Sequence, residues 1–363
     1  MNMQPRSQSL WCTLPLIGFF VSEWQIWRQQ QTQPNYLLVP IPDNAAGLSP
    51  YPVDMSPMLA LPYGVLDENE VPYNTRTEGS PAAYQPTTIA QYALAQWNAY
   101  LATGDEKHKQ AFLIQAHWFV EHELRFAGDA GGWPIPFPSH SYETPQSWLS
   151  ALTQGNVISV LVRAYRLTGK DIFLEAGRRA IRVFELDIRD GGVSTTIGED
   201  GIFFEEVAVY PATHILNGYI LALFGLFDYV ALTGDCHVDV LIHRSLVTLH
   251  TLIDRYDTGY WSRYDLYSRH LATPFYHALH VTLLQALARY SGCQHCSALA
   301  SRWAAYKYKP GYFIVARLAV YRSRLQRKLS RVLIKGAKHI QTNLPVRVDK
   351  ASTTSGNAQG MRL

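Results

Sequence analysis

Cysteine, net charge and glycine-rich signatures are all sparse in this chain, and each scarcity removes a class of function. The 363 residues include four cysteines, Cys12, Cys236, Cys293 and Cys296. That is no disulfide framework, so nothing demands an oxidising compartment. Cys293-Gln-His-Cys296 is a single CxxC. Structural zinc sites built on such pairs need a second at matched spacing, and without one no metal is expected. Charged residues make up 17%, with 32 Lys and Arg against 29 Asp and Glu, for a net charge of +3. That balance gives no footing for a nucleic-acid partner. No phosphate-cradling glycine loop or dinucleotide fingerprint occurs, which disfavours kinase and dehydrogenase readings, and no cofactor is expected. Long apolar runs are also missing. Leu10 to Val21 is uncharged but broken by Pro15 and Gly18, and it is short for a membrane span. It lacks a small-residue cleavage site and a strongly charged leading region, so the expected location is cytoplasmic or membrane-associated.

Aromatic residues, by contrast, are plentiful: 12% of the chain, with 22 Tyr and 9 Trp. Such rings either fill cores or stack on the apolar faces of sugars. Residues 1–86 read as an N-terminal arm, mostly irregular, its latter part rich in Pro, Gln, Asn and Tyr. From Thr87 the pattern turns helical. A punctuation mark then recurs at Gly104, Gly169, Gly234 and Gly292, in steps of 65, 65 and 58 residues. Each glycine ends one amphipathic stretch, and a residue able to cap the next helix follows it. The pattern predicts helices over 88–103, 107–125, 147–168, 171–187, 212–233, 236–254, 273–291, 294–308 and 313–334. Paired by tight turns, they form a mainly α array of helix hairpins. Closed or nearly closed, such an array is an α/α toroid. Residues 87–310 form this domain, and 311–363 a basic C-terminal helix and flexible tail. That helix suits an acidic polymer or peripheral membrane contact, and equally a solvated face. A homodimer is left open.

The long connections, 126–146, 188–211 and 255–272, carry the unusual residues, and loops at one end of a rigid scaffold are where polar chemistry concentrates. The first holds Gly131-Gly-Trp133-Pro. The second reads as a small β-hairpin ending in Phe204-Glu-Glu206, with its two glutamates on opposite faces and Glu205 expected to be solvent-facing or ion-paired. The third holds Tyr256-Asp-Thr-Gly-Tyr-Trp-Ser-Arg-Tyr264-Asp-Leu266, with Phe275-Tyr-His-Ala-Leu-His280 close behind. Asn217-Gly218, inside a helical pattern, suggests close helix packing.

These segments resemble the D-glucuronyl C5-epimerases of heparan sulfate and heparin biosynthesis, in particular their helical C-terminal domain. The resemblance runs in order through Tyr84 to Tyr92, Gly131-Gly-Trp-Pro134, Ala151-Leu-Thr-Gln-Gly155, Leu161-Val-Arg-Ala-Tyr165, Phe204-Glu-Glu206, Leu216-Asn-Gly218, Tyr256-Asp-Thr-Gly259, Tyr264-Asp-Leu266 and Tyr276-His277, covering about residues 80 to 305. It implies an α/α toroid and inversion at C5 of glucuronate within an acidic polysaccharide, giving iduronate. By position it implies catalytic roles for Tyr264, Tyr276 and Glu206. Substrate contacts are expected from Tyr84, Trp133, Gln154, Tyr210, Asn217, Arg263 and His277. Two positions depart from the family pattern: Val207 replaces a tyrosine after the glutamate pair, and Tyr267 replaces an arginine after Tyr-Asp-Leu. Tyr210 stands near enough to replace the first.

The chemistry explains the residue types. Inverting C5 removes a proton α to a carboxylate and returns one to the other face. That needs a base, an acid and a means of stabilising the enediolate. A tyrosine serves if nearby charge makes it basic, and His277, His280, Arg263 and His270 are the candidate cations. Three competitors share parts of this set. A polysaccharide lyase begins with the same abstraction. A glycoside hydrolase would pair Glu206 with Asp257 or Asp265. An inactive uronate-polymer binding protein would suit Val207 and Tyr267.

Overall fold

The four punctuating glycines are all left-handed, at φ 70° for Gly104, 67° for Gly169, 66° for Gly234 and 69° for Gly292. Each takes the position after a helix where an L side chain is strained. In the computed structural model, which describes residues 38–39, 49–75, 81–139 and 141–323, they divide eight helices into four hairpins. These are α1 (Pro86–Thr103) with α2 (Glu106–Glu121), α3 (Ala151–Thr168) with α4 (Asp171–Glu185), α5 (Leu216–Thr233) with α6 (Cys236–Leu252), and α7 (Pro274–Ser291) with α8 (Gln294–Tyr306). The residue after the glycine caps the next helix at three of the four turns. Asp105 and Asp235 accept from amides in the first turn, and Cys293 from that of Cys296. A further helical stretch begins at 310. The N-terminal apolar run and the basic tail beyond 323 lie outside the described residues.

The first helices of the hairpins, α1, α3, α5 and α7, pack side by side in order and form the inner layer of an α/α toroid. Their composition explains why they are inside. From Ala151 to Ala164, α3 is buried without a break, and α5 is long and apolar enough to span a bilayer yet is mostly buried in the array. The tightest approach is between α3 and α5, at Gly155 and Gly225. A Cβ on Gly155 would lie 2.5 Å from the Ala222 Cα, and one on Gly225 would lie 2.2 Å from the Gly155 carbonyl oxygen.

The described part of the N-terminal arm is mostly irregular but is packed against the helices. Residues 49–75 hold a 3-10 turn (Ser56–Ala60) and a small hairpin, β1 (Gly64–Leu66) with β2 (Pro72–Asn74). Tyr51 and Val53 are buried in the same core as the inner helices. The Tyr51 hydroxyl donates to Asn156 Oδ1 at 3.1 Å, and its ring lies 5.5 Å from the Arg163 guanidinium. Arg163 in turn reaches the Pro50 carbonyl and forms a buried ion pair with Asp228 at 2.5 Å. The arm thus plugs the inner layer through polar groups whose pairing no local pattern reveals. Asp228→Ala should cost about 3–5 kcal/mol by stranding the Arg163 charge. Chemical denaturation followed by circular dichroism would measure this, and a loss below about 1 kcal/mol would mean that the pair does not hold the arm.

Three connections also depart from their expected limits. Helix α2 stops at Glu121 because residues 124–126 pair as β3 (Leu124–Phe126) with β4 (Ala130–Gly132). Helix α3 starts at Ala151, where the Ser150 side chain accepts from the Thr153 amide. Helix α5 starts only at Leu216, because the chain before it wraps the Glu205 carboxylate. The Thr213 amide and hydroxyl and the His214 amide all donate to that group. The expected hairpin is present as β5 (Ser194–Ile197) with β6 (Gly201–Phe204), antiparallel, with Ser194 opposite Phe204.

Candidate active site

Glu205 and Glu206 follow β6 and part company there. Glu205 is fully buried, held by the Thr195 hydroxyl at 2.9 Å and paired with His214 at 2.7 Å. The solvent-facing alternative is therefore overturned: its ligands fold the 205–215 segment and leave it no free oxygen lobe. Glu206 turns the other way, toward Asn217 and Tyr264.

The third connection is hydrogen-bonded onto the second, and this sets Tyr264 beside Glu206. The Leu216 amide donates to the Tyr264 carbonyl, the Tyr267 amide to the Thr213 carbonyl, and the Tyr256 hydroxyl to the His214 carbonyl. The Tyr264 hydroxyl then donates to Glu206 Oε1 at 3.4 Å, and the Asn217 amide to Oε2 at 2.9 Å. Tyr276 arrives from the first turn of α7, where Thr273 caps its amide. The Tyr264 and Tyr276 rings meet edge to face, centroids 4.7 Å apart. The three candidate catalytic residues thus form one contiguous group, drawn from three segments far apart in sequence.

Protein surrounds Glu206 on nearly all sides, although a partial opening to solvent remains. Desolvation raises its carboxyl to about 7, against the opposing hydrogen bonds from Tyr264, the Gly218 amide and Asn217. Burial and the neighbouring Glu206 charge push Tyr276 up to about 12 and raise Tyr264 well above the ordinary phenol value. Near neutral pH the group therefore offers a half-ionised carboxylate and two protonated phenols, one base with two acids. Three of the four candidate cations, His277, His280 and Arg263, are not placed to make the tyrosines basic. His277 and His280 are buried, lowered to about 4 and about 3 by desolvation, and neutral. They face away from Tyr276, since both accept or donate at the Ser262 hydroxyl and His277 stacks on Trp261 at 3.8 Å. Arg263 donates to the Arg269 carbonyl.

Other expected substrate contacts divide in the same way. Trp133 and Gln154 are buried and clamp one another, the Trp133 amide donating to Gln154 Oε1 and the Gln154 amide to the Trp133 carbonyl. They brace the Gly131-Gly-Trp133 turn and offer no face to a sugar. His277 is equally enclosed. Tyr84 is exposed, but it belongs to a separate cleft of about 600 Å³ with Asp67 and Trp118, its hydroxyl 2.7 Å from Asp67 Oδ2. Tyr210 is largely exposed, with no contact to the Glu206 group to mark it as a replacement for the missing tyrosine. Of the seven, Asn217 alone touches the group.

Sequence reasoning missed three contributors. Tyr142 and Tyr63 lie within electrostatic reach of Tyr264 and Tyr276 respectively, and no motif marks either. Gly218 did carry a signal, but its reason is different from helix packing. A Cβ there would lie 2.3 Å from Glu206 Oε2 and 2.4 Å from the Glu206 Cβ. The missing side chain is the space that the glutamate fills. Gly218→Ala should displace the carboxylate and lower turnover about 100-fold, the scale of an ångström-sized misplacement. Steady-state assays on the folded variant would check this, and unchanged turnover would show that this gap does not position Glu206.

The carboxylates needed by a hydrolase are committed elsewhere. Asp265 is fully buried and accepts from the Ser268 amide and hydroxyl and the Arg269 amide. Asp257 binds the Tyr306 hydroxyl at 3.0 Å and Arg302 at 3.1 Å.

A model of the D-glucuronyl C5-epimerase C-terminus matches residues 127–305. A D-glucuronyl C5-epimerase of Caenorhabditis elegans is 32% identical over 231 residues, which is 56% of this chain and 36% of the relative. An uncharacterized protein of Methanocaldococcus jannaschii is 28% identical over 151 residues, 41% of this chain and 49% of that protein. The chain therefore spans about a third to a half of the length of the curated relatives it matches. Among solved structures, an unsaturated glucuronyl hydrolase from Bacillus sp. GL1 covers 63% of this chain and 61% of its own at 12% identity and a TM-score of 0.38. An alpha-mannanase from Bacteroides thetaiotaomicron covers 68% and 63% at 12% identity and a TM-score of 0.45. Scores this low do not bear on chemistry.

Proposed function

The chain belongs to the D-glucuronyl C5-epimerase family through residues 127–305, and from that premise we propose that it inverts C5 of D-glucuronate units in a uronic-acid polysaccharide, giving L-iduronate. The observation that carries this reading is the contact of Glu206, a carboxyl raised to about 7, with Tyr264 and, through it, Tyr276. Glu206 is the base that takes the C5 proton. Tyr276, the phenol at the start of α7, is the acid that returns one, and Tyr264 holds Glu206 and supplies a second phenolic donor. The enediolate is then met by neutral hydrogen-bond donors, which stabilise developing charge where protein rather than solvent surrounds it. Each turnover moves one proton off the sugar and one onto it, so no redox partner is required.

The test is solvent deuterium at C5 of a heparosan-type polymer, followed by NMR in deuterated buffer. Exchange together with iduronate signals supports the epimerase. Exchange with a new double bond makes the protein a lyase, in which the same abstraction ends by expelling the C4 substituent. No exchange on any uronate polymer removes the proposal and favours a binding protein, for which Val207 and Tyr267 are the leading explanation. The base assignment also fixes a pH profile. The acid limb of kcat/KM should lie near pH 7, falling about tenfold per unit below it as Glu206 is protonated. A limb near the ordinary carboxylate value would remove Glu206 from that role.

A further inference from the structure

Cys293 occupies the cap of α8, its sulfur accepting from the Cys296 amide at 3.0 Å. The two cysteines, 5.3 Å apart at Cα, are joined as a disulfide. Into the same place His250, on the last turn of α6, directs Nε2 to 3.0 Å from Cys293 Sγ. The three donor atoms all lie within 4.8 Å of one another, and among the described residues this is the one place where three metal-donor side chains converge. Both cysteines are buried while His250 is exposed, which leaves an approach from solvent.

We propose that the dithiol form of this cluster is a binding site for a zinc-class metal ion, with Cys293, Cys296 and His250 as ligands. Two thiolates and an imidazole are the donor set that such ions prefer. Zinc bonds of about 2.3 Å to sulfur and 2.0–2.1 Å to nitrogen place tetrahedral donors roughly 3.5–3.8 Å apart, which fits inside the observed cluster once the sulfurs separate. The fourth position is open to water. His295, whose ring is 6.4 Å from that of His250 and which pairs with Asp254, is near enough to matter. Opening the disulfide takes two electrons and two protons from a dithiol reductant; the metal then displaces the two thiol protons. The site meets the rule that a lone CxxC lacks half its ligands by taking a histidine from 43 residues upstream. Its consequence is structural. The disulfide closes only the first turn of α8, whereas the metal ties α6 to α8 and so staples the third hairpin to the fourth.

Cobalt is the probe. The full chain is reduced with dithiothreitol, desalted without oxygen and titrated with Co²⁺. One equivalent should bind with thiolate-to-cobalt charge-transfer absorption and tetrahedral ligand-field bands, Zn²⁺ should displace it, and Tm should rise. Cys296→Ser should weaken the charge-transfer band, but Cys296 is buried and its replacement also perturbs the core, so the deciding variant is an exposed one. His250→Ala, at an exposed position, keeps the fold and should bind more weakly by at least the ~10–100-fold that losing a mere supporting residue costs, and it should lose the gain in Tm. Absence of the charge-transfer band in the reduced wild type overturns the proposal, as does unchanged cobalt affinity in His250→Ala. Oxidised protein should bind none.

Discussion

Glu206→Gln should abolish most turnover and at the same time stabilise the protein above neutral pH. The loss follows from removing the base, for which general acid–base catalysis sets a scale of about 10²–10⁴-fold. The gain follows from the cost of the same group. Glu206 has an ordinary value of 4.5 and a folded value of about 7. Below 4.5 the carboxyl is neutral in both states and folding carries no penalty. Between 4.5 and about 7 the unfolded chain loses the proton while the folded one keeps it. Above about 7 the folded protein holds a desolvated charge, and the contribution is fully lost. Stability from this group therefore falls as pH rises, by roughly 3 kcal/mol across the window. Glutamine has the same shape, can still accept from Asn217 and carries no charge. Denaturation of both proteins at pH 5 and pH 8 should show the variant's advantage over the wild type larger at pH 8 than at pH 5 by about 2–3 kcal/mol. An equal advantage at both pH values would mean that the carboxylate is better solvated than its surroundings indicate, and the acid limb near neutrality would then lose its basis.

Tyr276→Phe is the second change of comparable size. Its ring stays edge-on to Tyr264 at 4.7 Å, so packing is conserved. What goes is the hydroxyl, raised to about 12 and hence protonated throughout the working range. If that hydroxyl returns the proton to C5, kcat should fall by about 10²–10⁴ with little change in KM. Stability should move by only about 1 kcal/mol, the net worth of one hydrogen bond. Single-turnover measurement of iduronate formation would separate this from a binding defect. Turnover near the wild-type level would leave Tyr276 a packing residue and shift the acid role to Tyr264.

Much of the scaffold was legible because it depends on local rules. A glycine that must be left-handed and a residue able to cap the next helix announce a tight turn wherever they occur, and Gly104, Gly169, Gly234 and Gly292 all obey. The β5–β6 hairpin also follows from local pattern, whereas Glu206, Tyr264 and Tyr276 were singled out only by their resemblance to family motifs. The polar details were not legible. His277 and His280 look like cations in a motif, yet burial beside Trp261 and Ser262 keeps them neutral. Trp133 and Gln154 look like sugar contacts, yet they satisfy each other inside the core. Tyr51, in an arm expected to be irregular, is held by Asn156 and Arg163 from a distant helix.

By itself the amino-acid sequence determined the hairpin periodicity, the apolar inner helices and the residue types available at the connections, since each depends on neighbours within a few positions. Only the tertiary structure decided which polar groups are paired, which are desolvated and therefore which protons are held near neutrality. Protonation depends on what surrounds a group in space: Asp265 and Glu205 are committed to loops, while Glu206 fills the space that Gly218 leaves. Likewise His250 meets Cys293 only because α6 and α8 fold against one core.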